Sequence, residues 1–363
     1  MRAWRQSALA QRLGILRPIV QGPFGGGLSS VDLVVAVGEG GGLGSFGAHH
    51  LDGAGIHAVA KQIRARSGRP FALNLWLPHA EPGESLVAAE QGQDYALHAQ
   101  RLAAWYAELG AEIPPPPARY LPDFEEQVEA VLEVRPAVFS FVFGVPAGNV
   151  LERCRSLGIL TLGAATTVDE ARALEVAGVD LIVATGFEAG GHRVSFLQRP
   201  EDALTGGLAL LPQVVDAVRV PVIAAGGIAD GRGILAALNL GAQAVQIGTA
   251  FLACEESNAS ELHRQQLFGA TARRTTLTRA FSGRLARGIR NRLSEELAGA
   301  ALAPYPLQGW LTAAMKTPAL QQRRADLLPL WCGQSAGLLG HRSASALMRF
   351  LDDDVERRLS AFA

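Results

Sequence analysis

Three stretches combine residue types that could do chemistry with the flexible backbone needed to bring a ligand to them. They are Thr185-Gly186-Phe187-Glu188-Ala189-Gly190-Gly191-His192-Arg193, Ala225-Gly226-Gly227-Ile228-Ala229-Asp230-Gly231 and Gln246-Ile247-Gly248-Thr249-Ala250. His192 follows two glycines, so little side-chain bulk surrounds its imidazole, and a histidine near its ordinary pKa of about 6.5 suits proton abstraction at neutral pH. Gly226-Gly227 and Gly248-Thr249 expose backbone N–H groups to which a phosphate dianion could be drawn. A Gly-Gly pair alone reads equally well as a tight turn, and a lone histidine is more often structural than catalytic. What favours chemistry is that the glycine pairs follow two consecutive strands and that the histidine follows the strand before them.

Those strands belong to a longer alternation. Short β-branched or aromatic runs at Pro18–Gln21, Leu43–Phe46, Phe71–Leu75, Val138–Phe143, Leu160–Gly163, Leu181–Ala184, Val222–Ala225 and Ala244–Ile247 are separated by helical patterns. The helices are expected over Val31–Gly38, Ile56–Arg66, Phe124–Val134, Val150–Leu157, Val168–Ala177, Leu208–Val218 and Gly231–Leu240, with Thr167 as a start signal and Gly178 as a stop. Eight strands with intervening helices predict an α/β fold of the (β/α)8 TIM-barrel type, in preference to an open doubly wound sheet. In such barrels the active site forms on the loops after the strand C-termini, which is where all three stretches fall.

The barrel core is expected over residues 1–253. The interval 78–122 is too long for a simple crossover and is expected to be an insertion, with a helix around Tyr95–Leu109 and the stiff run Pro114–Pro117 leading back. Residues 254–363 are mainly helical by pattern and are expected to complete the barrel and cap the site. Gly22–Gly27 could let a flat ligand approach the backbone, but it is no Walker loop, and Gly40–Gly44 reads as a turn rather than a dinucleotide fingerprint.

Composition narrows the function. The chain of 363 residues is 48% hydrophobic and 18% charged, enough for a large core, and its 33 basic against 34 acidic residues leave no bulk field for nucleic acid. Arg284–Arg292 is the one basic run and is expected to be a solvated or salt-bridged face. The three cysteines show no ligand or disulfide spacing, and His49, His50 and His79 lack any catalytic context. Without a signal-like or membrane-spanning stretch, a cytoplasmic protein is expected, with no membrane partner, and a homodimer is left open.

At these residues the chain resembles the nitronate monooxygenase (2-nitropropane dioxygenase-like) family of FMN barrels, and its class I members in particular. The matching stretches are Pro18–Gly27 with Gly40–Gly44, Phe124–Val142, Glu188–Arg193, Val220–Asp230, Gln246–Phe251 and Trp331–Gly337, with Phe281–Arg284 and Tyr305–Gln308 besides. The resemblance implies FMN, its phosphate held by Gly226-Gly227 and by Gln246, Ile247, Gly248 and Thr249, with Gly190 beside the cofactor. It implies a flavin contact from Asn74 and a catalytic role for His192, and Ser282 is a weaker candidate for binding nitro oxygens. Thr185 stands where the family usually has glutamine and Phe24 where it commonly has methionine, both beside the flavin. The implied reaction is oxidation of an alkyl nitronate, or a nitroalkane deprotonated by His192, with O2 to a carbonyl compound and nitrite. The same barrel could instead carry an NAD(P)H:quinone or enoyl-acyl carrier protein reductase, and a non-catalytic flavin or phosphate-ligand binding barrel is the third reading.

Overall fold

The architecture is that of a computed structural model describing residues 4–5, 7–81 and 94–361. All eight expected strands form: β1 (Ile19–Gln21), β2 (Gly44–Gly47), β3 (Phe71–Trp76), β4 (Val138–Val142), β5 (Leu160–Ala165), β6 (Leu181–Thr185), β7 (Val222–Ala225) and β8 (Ala244–Ile247). Each pairs in parallel with its successor from β2 through β8, and β8 pairs with β1. The ring closes through a parallel bridge between Val20 and Leu43, where the Leu43 N–H donates to the Ile19 carbonyl and the Gln21 N–H to the Leu43 carbonyl, both at 2.9 Å. The fold is therefore a (β/α)8 barrel.

Successive side chains on a strand face opposite ways, and this alternation divides the core into two layers. Val20, Ala72, Val138, Leu162, Leu181, Val183, Ile223, Ala225 and Ala244 fill the barrel interior, where Leu9, Ala10 and Leu13 of the first helix pack with them. The opposite parity, including Ile19, Leu73, Phe139, Ile182, Ala224, Val245 and Ile247, meets the surrounding helices. Capping follows the sequence: Thr167 Oγ1 accepts from the Glu170 N–H at 3.2 Å, and Gly178 leaves the following turn at φ 86°. Gly44 is required for a different reason, since a Cβ there would lie 2.3 Å from the Val34 carbonyl oxygen.

The segment after residue 254 is not helical throughout. Thr275–Thr278 and Ala286–Ile289 form an antiparallel ribbon, and Ala286 pairs in turn with His192. The expectation of a solvated or salt-bridged face holds for Arg290 and Arg292, which pair with Glu295 and Glu108, but not for Arg284 and Arg287, which are only 2% and 3% exposed. Their guanidinium groups supply donors that an irregular loop needs: Arg287 donates to the Phe187 carbonyl and to Thr275 Oγ1, and Arg284 to the His79 carbonyl at 2.6 Å. Arg290 and Arg292 do turn to the surface.

Helix Leu307–Gln321 shares an apolar cluster with the inserted helix Tyr95–Leu109 and with Glu261–Phe268, forming a cap. The proline run is braced there, Trp310 Nε1 donating to the Pro115 carbonyl at 3.3 Å. Residues 82–93 of the expected insertion lie outside the described residues. The last helix, Ala344–Ala361, packs Leu347, Met348, Leu351 and Val355 into the outer barrel layer, and Asp354 accepts from the Gly231 N–H at 2.9 Å.

Candidate active site

The inward parity that fills the barrel lower down reaches its C-terminal end as Asn74 and Trp76 on β3, Val142, Ala164, Thr185, Ala225 and Gln246. These residues floor a cavity of about 370 Å³. Thr185, Ala225 and Gln246 sit side by side in register across β6, β7 and β8. The Asn74 amide is oriented by a 3.0 Å hydrogen bond from Nδ2 to Ser140 Oγ. One residue expected here is absent from the cavity: Ile247 has the outward parity, is fully buried and packs against the helices.

Glycines build one end of the cavity. Gly190, Gly226, Gly227 and Gly248 line it with Thr249, as expected, and Gly333 and Ser335 join them from the C-terminal segment. The Gly333 N–H donates to Thr249 Oγ1 at 2.9 Å. Any side chain at Gly190 would meet this join, since its Cβ would lie 2.5 Å from the Gly333 nitrogen. The loop bearing these glycines is clamped by Arg193, only 1% exposed, which donates to the Gly186 and Ala203 carbonyls at 2.8 and 3.0 Å. Such a rigid, side-chain-free lining suits close approach of an anion to backbone N–H groups.

His192 is not on a free loop but in the short strand Gly191–His192, held antiparallel to Ala286–Ile289. Its Nε2 is 2.8 Å from Ser282 Oγ, and its ring lies between Trp76 and Trp331, with centroids at 4.8 and 5.2 Å. Burial, with Arg284 adding to it, holds the imidazole down to about 3, so it is uncharged at neutral pH. Ser282 lines the cavity, and its hydroxyl is engaged by the His192 ring and by the Arg284 backbone.

Several residues of this cavity escaped the sequence reading. Trp76 was accessible by parity, two places after Asn74. Tyr305, Trp331, Gly333 and Ser335 lie in or beside stretches that carried the resemblance but had no position assigned to them. Lys316 comes from the cap helix, and burial lowers its pKa. His49, dismissed for want of context, lines the cavity and stacks on Trp76 at 4.1 Å with 9° between the planes. Burial takes it well below the ordinary histidine value, with smaller contributions from His50, His192 and Arg284. Phe24 lines the cavity, its backbone fixed by Ser29 Oγ. No aspartate or glutamate is among the described lining residues, while the Arg284 guanidinium lies 4.1 Å from the centroids of both Phe143 and Tyr305. The cavity therefore favours a negative charge.

The model of the nitronate monooxygenase family matches residues 6–351. The chain belongs to that family. A probable nitronate monooxygenase of Staphylococcus aureus (strain Newman) is 37% identical, with 98% of each chain covered. Among solved structures, a nitroalkane oxidase from Streptomyces ansochromogenes superposes with a TM-score of 0.89 at 38% identity, over 98% of this chain and 100% of that one. FabK from Thermotoga maritima shares the fold at a TM-score of 0.72 and 24% identity, over 98% of each chain. Membership makes this chain an oxidoreductase. Among the described residues no group of three or more His, Cys, Asp or Glu side chains could hold a metal ion, and no helix is long and apolar enough to cross a membrane.

Proposed function

We propose that this family member is an FMN-dependent enzyme that oxidises alkyl nitronates with O2 to a carbonyl compound and nitrite. The observation that carries the reading is a cavity with a glycine-lined cradle at one end, an uncharged imidazole facing it, Lys316 in its wall with Arg284 against the lining Tyr305, and no carboxylate among the described lining residues. FMN fits these residues: the backbone at Gly226, Gly227, Gly248 and Thr249 would hold its phosphate, and Asn74, Thr185 and Gln246 offer polar groups along the floor for its ring edge. When bound, the flavin supplies the two-electron acceptor and the reaction with O2.

The chain's own part is to bind the anion and manage one proton. Ser282 has one hydrogen, and giving it to the Arg284 carbonyl lets its oxygen accept from the imidazole N–H, which leaves the other ring nitrogen of His192 basic. A neutral nitroalkane would lose its α-proton to that nitrogen. The imidazolium so formed is disfavoured by burial but is paired at once with the new nitronate charge. Arg284 and Lys316 lower the cost of that anion without touching the proton, and Trp76 and Trp331 fix the ring plane.

The test is anaerobic mixing of the purified flavoprotein with ethyl nitronate and, separately, with NADH and NADPH. Nitronate should bleach the visible flavin band and the nicotinamides should not; readmitted O2 should be consumed with formation of nitrite. Bleaching by a nicotinamide alone would replace this reading with a reductase.

A further inference from the structure

Beyond the glycine end of the cavity lies an open groove of about 900 Å³, lined by Phe187, Gly206, Leu208, Arg273 and Leu338. It shares Gly227 and Ser335 with the active-site cavity, so the two meet at a neck. Leu208 and Leu338 are 76% and 47% exposed, apolar walls of a kind that suit a flat base, and Arg273 supplies a cation. By shape and composition the groove could receive the adenylate half of a dinucleotide. The neck is another matter, because Glu188 lines it.

The Glu188 side chain packs against the neck glycine, its Cγ 3.1 Å from where a Cβ of Gly227 would be. Its carboxylate is anchored there, since both oxygens accept from the Gly207 N–H, at 2.9 and 3.0 Å, at the start of helix Gly207–Ala217. The helix terminus that would draw a second phosphate is thus already filled by an internal anion.

We propose that Glu188 makes the site selective for FMN over FAD by closing this neck to a second phosphate. The proposal rests on the flavin reading above. FMN ends in one phosphate, which the glycine cradle can hold short of the neck. FAD carries a second anionic phosphate that must pass it, where it would face a fixed carboxylate whose N–H partner is taken. Like charges in a partly desolvated neck repel strongly.

The full-length chain, stripped of flavin, should be titrated with FMN and with FAD, following flavin fluorescence, for the wild type, Glu188→Gln and Glu188→Ala. Gln keeps the size and an acceptor for Gly207 while removing the charge; Ala removes both. The wild type should prefer FMN by about a hundredfold, and Gln should narrow that ratio by about tenfold or more through FAD affinity. Ala should narrow it at least as far. A wild type that binds the two flavins within about threefold of each other overturns the proposal. So does a wild-type ratio retained in the folded, FMN-binding Gln variant, which settles the matter even where Ala fails to fold. A wild type that binds neither flavin removes the FMN reading itself.

Discussion

Replacing His192 with asparagine tests the proton step directly. Asparagine retains a polar group able to reach Ser282, so the ribbon that carries it, paired through Ala286 and Arg287, has no reason to move. What disappears is the basic nitrogen. Loss of a positioned base costs about 10²–10⁴-fold in the proton-transfer step, equivalent to roughly 3–5 kcal/mol of barrier. Only the neutral nitroalkane needs that step, because a preformed nitronate has already lost the proton. With nitroethane the variant should therefore lose about 10²–10⁴-fold in kcat/KM, and with ethyl nitronate less than about tenfold. The structure adds a pH signature. Burial holds the imidazole down to about 3, so protonation of His192 should impose no acid limb on wild-type nitroethane turnover above about pH 5. Anaerobic stopped-flow reduction of the bound flavin with the two substrates, across pH, reads all three quantities. Equal losses with both substrates, or wild-type rates with both, would refute the role of His192 as base.

Three further outcomes are expected. Gly227→Val places a β-branched side chain at φ 72° and 3.1 Å from Glu188 Cγ, so the protein should fold by circular dichroism yet purify colourless; wild-type flavin occupancy would contradict the cradle. Thr185→Gln should fold, because residue 185 faces the cavity, and should shift the flavin absorption band or the substrate preference; an unfolded variant would show that this wall has no room for the longer amide. Stability should fall with acid. His192 and His263 are lowered by burial to about 3 and about 4, and His49 is also well below its ordinary value, so the unfolded chain binds protons below about pH 6.5 that the folded chain refuses. This contribution is intact above about pH 6.5 and is lost as pH drops toward about 3, so the urea midpoint should be lower at about pH 5 than at about pH 7.5. An unchanged midpoint would mean these rings are not desolvated.

The barrel was legible because buried parallel strands announce themselves. Runs such as Leu181–Ala184 and Val222–Ala225 are apolar on both faces and bounded by capped helices, and the eight expected strands lie within about two residues of those formed. The placement of Gly226, Gly227, Gly248 and His192 at the cavity was legible for the same reason, since it is fixed by their distance from a strand end. Errors arose where neighbours in sequence part in space. Gln246 and Ile247 were grouped as cofactor contacts, but the pleat sends one inward and the other to the helices. Trp76 was passed over although it shares the parity of Asn74. Arg284 and Arg287 were misjudged because charge density predicts solvent only where no carbonyl-rich loop needs donors, and the loop after β6 is such a place. Lys316 had no local signal at all, and Trp331 and Ser335 had only the family resemblance of the stretch that contains them. Helical periodicity shows that a cap helix has an apolar face, but not which cavity that face will cover.

That last point bears on how the site is built. β6 delivers His192 to the barrel rim, but the strand Ala286–Ile289 of the C-terminal segment holds it there. Ala286 pairs with it, Ser282 of the same segment bonds its ring, and Trp331, whose backbone bridges to Gly288, packs against it. The buried His263 lies 3.1 Å from the Trp331 carbonyl through its Nε2, tying this wall to the cap helix Glu261–Phe268. The cap also furnishes Lys316, while Gly333 bonds Thr249 at the cradle. The barrel thus supplies the floor and the glycine-lined end, and the C-terminal segment fixes His192, bonds its ring through Ser282 and contributes Lys316. A barrel that ended after β8 would keep its glycines but lose the geometry that gives His192 its depressed pKa, since burial is the larger cause and Ser282 and Trp331, both of the C-terminal segment, lie against its ring.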